Sequence, residues 1–275
     1  MVQSFDTLSQ NAFKKIFNKQ RFFFIFSSLC CFGVVFAIFL KLCTHIAQDF
    51  SFPTLGLGSF FSSFSIICAS AVIVHSLLKQ ESLGEIKKLR KTFYNNWKSL
   101  WLSLLVSMPF FLSMVLVSAI IVFSTFLSSL PWIGKFFHTL FIFIPYVSST
   151  VLILLFLGAF VSLFFCIPAL SDQERIDYMK LIHCFRGNIL NQSLGFIIAI
   201  LPLVLCSWLA LGSFYLMSYL VGLSDMHTGA FLVEMLVLVI PVAFILTPAV
   251  AFFFNFSFDF YLTKHAAVDK TIMKG

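Results

Sequence analysis

The sequence predicts an all-α, polytopic membrane protein. It is expected to have six transmembrane helices in three parallel hairpin repeats, with amphipathic helices at the cytoplasmic interface. Three observations predict this fold. Hydrophobic residues make up 60% of the 275-residue chain and charged residues only 11%, whereas about a quarter of the residues of a soluble protein are charged. Six segments are apolar enough to cross a bilayer, and nearly all Lys and Arg residues fall on one side of them.

Six segments have the length that a membrane span requires. Crossing about 30 Å of hydrocarbon takes roughly 20 apolar residues, because a helix rises about 1.5 Å per residue. The first segment exceeds the length of a signal peptide's apolar region, about 7–15 residues, and no small-residue cleavage site follows it, so we expect it to be retained. We place the spans near Phe22–Leu42, Ser59–Leu78, Leu100–Leu127, Leu140–Ile167, Leu194–Val221 and Ala230–Phe256.

The basic residues predict the orientation of these spans. Four Lys or Arg residues precede span one, six lie between spans two and three, three lie between spans four and five, and three follow span six, which makes 16 of the 18. Cytoplasmic loops are the loops enriched in Lys and Arg. We therefore expect a multi-pass protein of a bacterial inner membrane with both termini in the cytoplasm. The external connections are short, so no external domain is expected: near Cys43–Gly58, Ser128–Thr139 and Gly222–Gly229.

The cytoplasmic segments carry the periodicity of amphipathic helices. Apolar residues recur at three- and four-residue steps, which is typical of a helix lying in the membrane interface. Two of these helices open with the capping boxes Ser82-x-x-Glu85 and Ser171-x-x-Glu174. The three apolar stripes are Leu8, Phe13, Ile16 and Phe17; Leu83, Ile86, Leu89, Phe93 and Trp97; and Ile176, Met179, Ile182 and Phe185.

The ends of these three helices predict an internal repeat. Phe17, Phe93 and Phe185 are each followed by Asn or Gly residues that end a helix, and Pro109 and Pro202 lie 16 and 17 residues beyond the second and third Phe. A two-span unit repeats with the same orientation, so the repeats are parallel. We interpret residues 1–275 as one integral membrane domain with units near 1–78, 79–168 and 169–275.

A mid-chain pattern resembles a known group of proteins. The stretch Phe165-Cys166-Ile167-Pro168-Ala169-Leu170, an acidic capped helix and Phe185-Arg186-Gly187-Asn188 are similar to uncharacterised bacterial six-span proteins, within 164–203. That group is similar to the membrane domain sometimes fused to glycerophosphodiester phosphodiesterases. The phosphodiesterase catalytic domain has no counterpart here, so the resemblance implies an architecture and no enzymatic activity.

The basic cluster after span two is a candidate lipid-binding site. Each cation near an anionic leaflet contributes about 1 kcal/mol to membrane binding, and Tyr94, Trp97 and Trp101 suit the interfacial aromatic belt. We expect anionic headgroups, and no nucleic acid, as partners of this surface. A soluble protein partner stays possible. The lipid-contact residues are Lys87, Lys88, Arg90, Lys91 and Lys98.

Polar residues within the spans have a structural and a functional interpretation. We expect His75, Asp259 and Glu234 to lie at span ends, within reach of headgroups or water, rather than to couple proton movement. The span-two serines Ser62, Ser63, Ser65, Ser70 and Ser76 predict a packing face, with a polar pathway as the alternative. Six prolines lie within the predicted spans or directly at their ends. We interpret them as ordinary helix kinks, with broken helices that line a binding cavity as the alternative: Pro109, Pro145, Pro168, Pro202, Pro241 and Pro248.

No residue pattern predicts catalysis or a bound cofactor. His45, His138 and His227 map to the external side, but the close ligand spacings of a zinc site are missing, and the seven Cys residues show no disulfide framework. We expect a non-enzymatic protein that handles lipid or small hydrophobic cargo as a permease-like component. The alternative is a scaffold or assembly factor whose cytoplasmic helices dock a soluble partner.

Overall fold

The computed structural model describes residues 5–46, 52–82, 97–130, 136, 139, 142–173, 189–221 and 231–272. These residues are almost all helical, with turns at 15–17, 129 and 142–143, and they include no strand. Among the described residues, a short helix precedes six long ones. The helices are α1 (Phe5–Lys14), α2 (Lys19–Ile46), α3 (Phe52–Ser82), α4 (Trp97–Ser128), α5 (Ile144–Gln173), α6 (Ile189–Val221) and α7 (Phe231–Ile272).

The prediction of an all-helical chain with six potential spans is confirmed. Helices α2 to α7 are each long and apolar enough to cross a membrane, as in a multi-pass membrane protein. Helix α2 contains 28 residues and α7 contains 42. These lengths correspond to about 42 and 63 Å, more than the hydrocarbon thickness of about 30 Å. Both helices are therefore long enough to extend beyond the apolar layer.

Helix α2 begins at a polar cap. The N–H of Gln20 donates a hydrogen bond to the side-chain oxygen of Asn18 at 3.2 Å, and the N–H of Phe22 donates to the carbonyl of Asn18 at 2.9 Å. This is the geometry of an N-cap residue. The sequence analysis assigns Asn18 to the end of the preceding helix, whereas α1 already ends at Lys14 and Asn18 starts the next helix.

Five of the six prolines assigned to the spans lie inside helices, and one lies at the start of a helix. Pro109, Pro168, Pro202, Pro241 and Pro248 lie inside helices, as predicted. Pro145 is instead the second residue of α5. A proline in the first turn leaves no helical hydrogen bond unmade, because the N–H groups there have no intrahelical acceptor. Pro145 therefore starts α5 rather than kinking it.

Helices α3 and α7 form the centre of the bundle. In their apolar windows, 61% of Phe64–Glu81 and 44% of Val237–Thr263 are buried, against 17–24% for the other four helices. Helix α7 packs against α1, α2, α3, α5 and α6, while α6 packs chiefly against α7. The remaining faces of the outer helices are rich in exposed Leu, Ile and Phe, as the lipid-facing surface of a membrane protein would be.

Phenylalanine rings fill the interior around residues 252–260 of α7. This segment reads F-F-F-N-F-S-F-D-F, and its six Phe side chains are all buried. The ring of Phe164 on α5 lies 5.7 Å from that of Phe253 and 5.6 Å from that of Phe260, centroid to centroid. Aromatic pairs at such distances contribute about 0.5–1.5 kcal/mol each beyond area burial. The Phe-rich segment thus holds α5 against α7.

Two glycines allow close approach of other helices to α7. A Cβ on Gly33 of α2 would lie 2.6 Å from a methyl carbon of Val239, and a Cβ on Gly195 of α6 would lie 2.8 Å from the ring of Phe260. Small residues at helix interfaces let backbones approach, which matters because lipid offers no hydrophobic driving force between helices. Gly33 is therefore a packing position of α2.

Helix α1 packs against α7 near residues 255–260 and marks what we call the α1 end of the bundle. Leu8 and Ala12 are buried, as is Ile16 in the turn that follows, and the ring of Phe5 stacks on that of Phe260 at 6.3 Å. Within the predicted apolar stripe, Phe13 and Phe17 are 59% and 70% exposed, because the bundle covers the face that carries Leu8, Ala12 and Ile16.

Candidate binding cavity and polar cluster

A cavity of about 170 Å³ lies inside the bundle. Five helices contribute to its wall: α2, α3, α5, α6 and α7. It is partly enclosed, and its lining is made almost wholly of hydrocarbon. Representative lining residues are Ser28, Ser70, Phe160, Ser207, Val250 and Phe253.

Three serine hydroxyls line the cavity, and each is bound to its own helix. Ser28 donates to the carbonyl of Phe24 at 2.9 Å, Ser70 to that of Ile66 at 2.6 Å, and Ser207 to that of Leu203 at 2.7 Å. Such bonds to the carbonyl four residues earlier satisfy a hydroxyl proton in apolar surroundings. The small serine side chains leave space between the helices. Their hydroxyl protons are not available to a guest, because each is donated to a backbone carbonyl. The cavity is therefore an apolar site.

The serine and proline predictions have mixed outcomes. Ser65, Ser70 and Ser76 of α3 are buried, which agrees with the predicted packing face, while the side chains of Ser62 and Ser63 lie outside the description. Ser70 is the span-two serine among the described residues that line the cavity, and no proline is among them. The described lining consists of Ser, Phe and aliphatic side chains.

A polar cluster closes the bundle at the α1 end. It consists of Lys15, Arg21, Glu81, Asn255 and Asp259. The Arg21 side chain is only 5% exposed. Its guanidinium donates to the Asn255 side-chain oxygen at 3.3 Å and forms an ion pair with Glu81 at 3.0 Å. A buried cation must be paired to be tolerated. Glu81 supplies the opposite charge, whereas the Nε of Arg21 has no hydrogen-bond partner among the described residues.

The same cluster fastens α1 to α7. The amide of Asn255 donates to the carbonyl of Ala12 at 3.3 Å, and the ammonium group of Lys15 lies 2.8 Å from both carboxylate oxygens of Asp259. Glu81 is 56% exposed, so the cluster reaches the surface there. Asp259 agrees with its predicted place at a span end, since its carboxylate meets a partly exposed Lys15.

His75 contradicts its predicted position. The sequence analysis places it within reach of headgroups or water, but its side chain is 0% exposed. The ring nitrogen Nε2 lies 3.0 Å from the carbonyl oxygen of Phe254 and 3.2 Å from the hydroxyl oxygen of Ser257. Because a carbonyl only accepts, we assign the proton to Nε2. Within the described part of the chain, Nδ1 has no hydrogen-bond partner.

His75 is buried because other helices surround α3 on all sides at this level. Hydropathy along a span indicates depth in the membrane, whereas burial depends on how many neighbouring helices cover the span. The stretch Ala71–Ser76 is buried throughout. A position near a span end can therefore still lie in the protein core.

One predicted lipid-contact residue lies in the described region. Lys98 is exposed at the start of α4, between Trp97 and Trp101, which are 56% and 58% exposed and meet edge to face at 6.3 Å. Exposed Trp beside Lys is typical of a membrane–water interface. The other four predicted contacts, Lys87, Lys88, Arg90 and Lys91, fall outside the described residues, as do Glu85 and Glu174 of the capping boxes.

The external histidines stay untested. His45 lies in α2 but its side chain is not described, and His138 and His227 fall outside the described residues. Glu234 lies in α7, again without a described side chain. Across the described ranges, no group of three or more His, Cys, Asp or Glu residues is arranged to hold a metal ion. The described thiols of Cys30, Cys31, Cys68, Cys166 and Cys206 are free.

Sequence reasoning missed several of the residues that build these sites. Ser28, Ser207, Arg21 and Asn255 were not singled out as site residues. A signal was present for Asn255, because Asn, Ser and Asp alternate with Phe in residues 252–260. In a helix such alternation puts polar groups on several faces, which indicates a segment surrounded by protein.

No family model, no curated protein and no solved structure matches this chain.

Proposed function

We propose that this protein is a non-enzymatic, multi-pass protein of a bacterial inner membrane that binds lipid or small hydrophobic cargo inside its helix bundle, as a permease-like component. The observation that carries the proposal is the apolar cavity of about 170 Å³. An engineered apolar cavity of about 150 Å³ stays dry and binds benzene or xenon. This cavity therefore has the size and the lining for an apolar guest.

The proposed orientation places the α1 end in the cytoplasm and the helices in three parallel two-span units. The excess of Lys and Arg before α2 and α4 supports this orientation. Lys14 and Lys19 are exposed at the α1 end, and Lys98 with its flanking Trp side chains fits the cytoplasmic interface. The ion pair between Arg21 at the start of α2 and Glu81 at the end of α3 is compatible with a first two-span unit.

The test fills the cavity and measures the bound guest. Ser207→Phe and Ser70→Phe place a ring in the cavity from α6 and from α3. Ser193→Phe introduces the same ring on an exposed face of α6 and is the matched control. Full-length proteins purified in gentle detergent are extracted, and the bound lipids and small molecules are identified by mass spectrometry.

We expect one apolar species to be enriched with the wild type and with Ser193→Phe, and to be lost from the two cavity variants. Monodisperse elution in detergent establishes that each variant is folded. An identical set of bound molecules in all four proteins would contradict the proposed function.

A scaffold that docks a soluble partner is the second candidate function. Phe13 and Phe17 support it, because they are exposed and meet edge to face at 6.1 Å at the α1 end. The same rings would insert into the leaflet if α1 is an interfacial helix. The double variant Phe13→Ser with Phe17→Ser distinguishes docking of a soluble protein from insertion into the leaflet. If the variant no longer captures a protein that the wild type captures, docking is favoured. If α1 of the variant no longer binds vesicles, insertion into the membrane interface is favoured.

A further inference from the structure

We propose that the cavity holds the hydrocarbon chain of a bilayer lipid whose headgroup lies in the leaflet at the α1 end. This inference rests on the proposed function and names the class of cargo. Three features of the cavity carry it: the chemistry of its lining, its depth along the helices, and the side on which it is closed.

The lining selects an alkyl segment. The hydroxyl protons of Ser28, Ser70 and Ser207 are all donated to carbonyls of their own helices. A guest that needs a hydrogen-bond donor, such as a carboxylate, a phosphate or an ester carbonyl, would be buried there without one and would lose its hydration. A methylene chain forms no hydrogen bonds with water and therefore loses none in the same space. The cavity therefore suits the tail of a lipid and excludes its headgroup.

The depth of the cavity places it in one leaflet. On α2 it extends from Ile25 to Phe32, which are 4 and 11 residues beyond Arg21. At about 1.5 Å per residue, this is about 6 to 17 Å from the level of the polar cluster. Half of the hydrocarbon layer measures about 15 Å. A chain attached to a headgroup at the α1 end would therefore pass this level.

The cavity is closed on the side that faces water at the α1 end. The lining residues nearest the polar cluster, Ile25, Phe253 and Phe254, are fully buried. Phe32 of α2 and Ser207 of α6, which lie farther from it, are only half-buried. Helix α6 packs chiefly against α7 and so leaves its other flank less covered. A guest would therefore enter sideways from the membrane rather than from the aqueous phase.

The experiment uses full-length protein in nanodiscs that contain a phospholipid with a diazirine in the middle of one acyl chain. After illumination, labelled residues are identified by mass spectrometry. We expect labelling at Phe160, Leu203 and Val250, and at least a fivefold decrease there in Ser207→Phe. Ser193→Phe should leave this labelling unchanged. Labelling of the lipid-facing residues Leu112 and Leu116 is the internal control and should be equal in all variants.

A second probe separates this inference from the proposed function. A phenyl diazirine without an alkyl chain reports whether the cavity takes any small apolar guest. If this probe labels the cavity and the acyl probe labels only the outer faces, the alkyl-chain inference is wrong and the proposed function stands. If neither probe labels it, both are wrong. A diazirine in the headgroup should leave the cavity unlabelled, and equal labelling there would also overturn the inference.

Discussion

The imidazole ring of His75 stacks on the phenyl ring of Phe258, with centroids 5.3 Å apart and an interplanar angle of 20°. Phe254 meets the same imidazole edge to face at 5.9 Å. His75 is therefore embedded as an aromatic side chain, and one turn of α7 provides both of the Phe rings around it. Of its two ring nitrogens, Nε2 is hydrogen-bonded to the carbonyl of Phe254, and Nδ1 has no hydrogen-bond partner among the described residues.

Replacing His75 with Phe keeps an aromatic ring but adds volume at a fully buried site, so it should lower the free energy of unfolding by about 1–3 kcal/mol through overpacking. The carbonyl of Phe254 keeps a hydrogen bond from Ser257 at 3.0 Å. His75→Ala should cost about 2–5 kcal/mol, because it leaves a void between two rings. Denaturant titration in mixed micelles measures both values. Equal losses in the two variants would indicate that the polar atoms matter more than the volume of the ring.

Gly195→Ala should destabilise the protein by about 1–3 kcal/mol through overpacking. The new Cβ would lie 2.8 Å from the ring of Phe260, which cannot move freely because it packs against Phe164 and Phe256. Gly212→Ala on the same helix is the control, since its Cβ would meet nothing within 4 Å. The control should be neutral, or more stable by up to about 1 kcal/mol from helix propensity. Thermal unfolding in detergent compares the two, and a reversed order would refute the α6–α7 packing.

Gly33→Cys combined with Val239→Cys should form a disulfide under mild oxidation, in a variant from which the native cysteines have been removed. A Cβ on Gly33 would lie 3.4 Å from the Cβ of Val239, close to the separation of about 3.5–4.5 Å that a disulfide requires. The pair Gly212→Cys and Val239→Cys serves as the negative control. A mobility shift on non-reducing gels reports the bond. Failure to cross-link would mean that α2 and α7 do not meet at this level.

Reversing both charges of the Lys15–Asp259 pair should restore the docking of α1 that each single charge reversal weakens. Lys15→Asp or Asp259→Lys alone places like charges together and should loosen α1, whereas the double variant recovers the pair. Because Lys15 is 36% exposed, we expect a coupling of about 1 kcal/mol or less. Hydrogen exchange of the α1 amides measures the opening. Equal exchange in all four proteins would show that the apolar contacts of Leu8 and Ala12 hold α1 alone.

The proposed orientation predicts the labelling of two native thiols. Cys43 should react with a membrane-impermeant maleimide added outside intact cells, and Cys184, which lies outside the described residues, should react only after the membrane is opened. A reporter fused after Gly275 should be active in the cytoplasm. The opposite pattern would invert the topology inferred from the basic residues.

Hydropathy and length were sufficient to predict the helices. The predicted span Phe22–Leu42 lies within α2, and Leu100–Leu127 lies within α4. Each end differs by a few residues because α2 and α4 continue past the apolar layer, where composition no longer distinguishes helix from loop. The start of α5 was placed too early, since an apolar run continues through the turn before Pro145.

The interior was much harder to predict, because a span that is apolar on every side does not reveal which face meets protein. The sequence contains 39 Phe residues, and the structure identifies those at 252–260 as the core around α7. Ser207 and Ser28 resemble any other intramembrane serine in the sequence, and only the assembled bundle brings them to one cavity with Ser70. The threefold repeat and the external histidines stay predictions.

The hydrogen bond between Arg21 and Asn255 joins residues 234 positions apart. Ribosomes add about 5–20 residues per second, so on the order of 10–50 s separates the synthesis of the guanidinium from that of its amide partner. Glu81, the ion-pair partner of Arg21, is synthesised much earlier, only 60 positions after it. The charge of Arg21 can therefore be paired within the nascent chain before α7 exists, and the last helix adds a hydrogen bond with a neutral amide to a pair that is already formed.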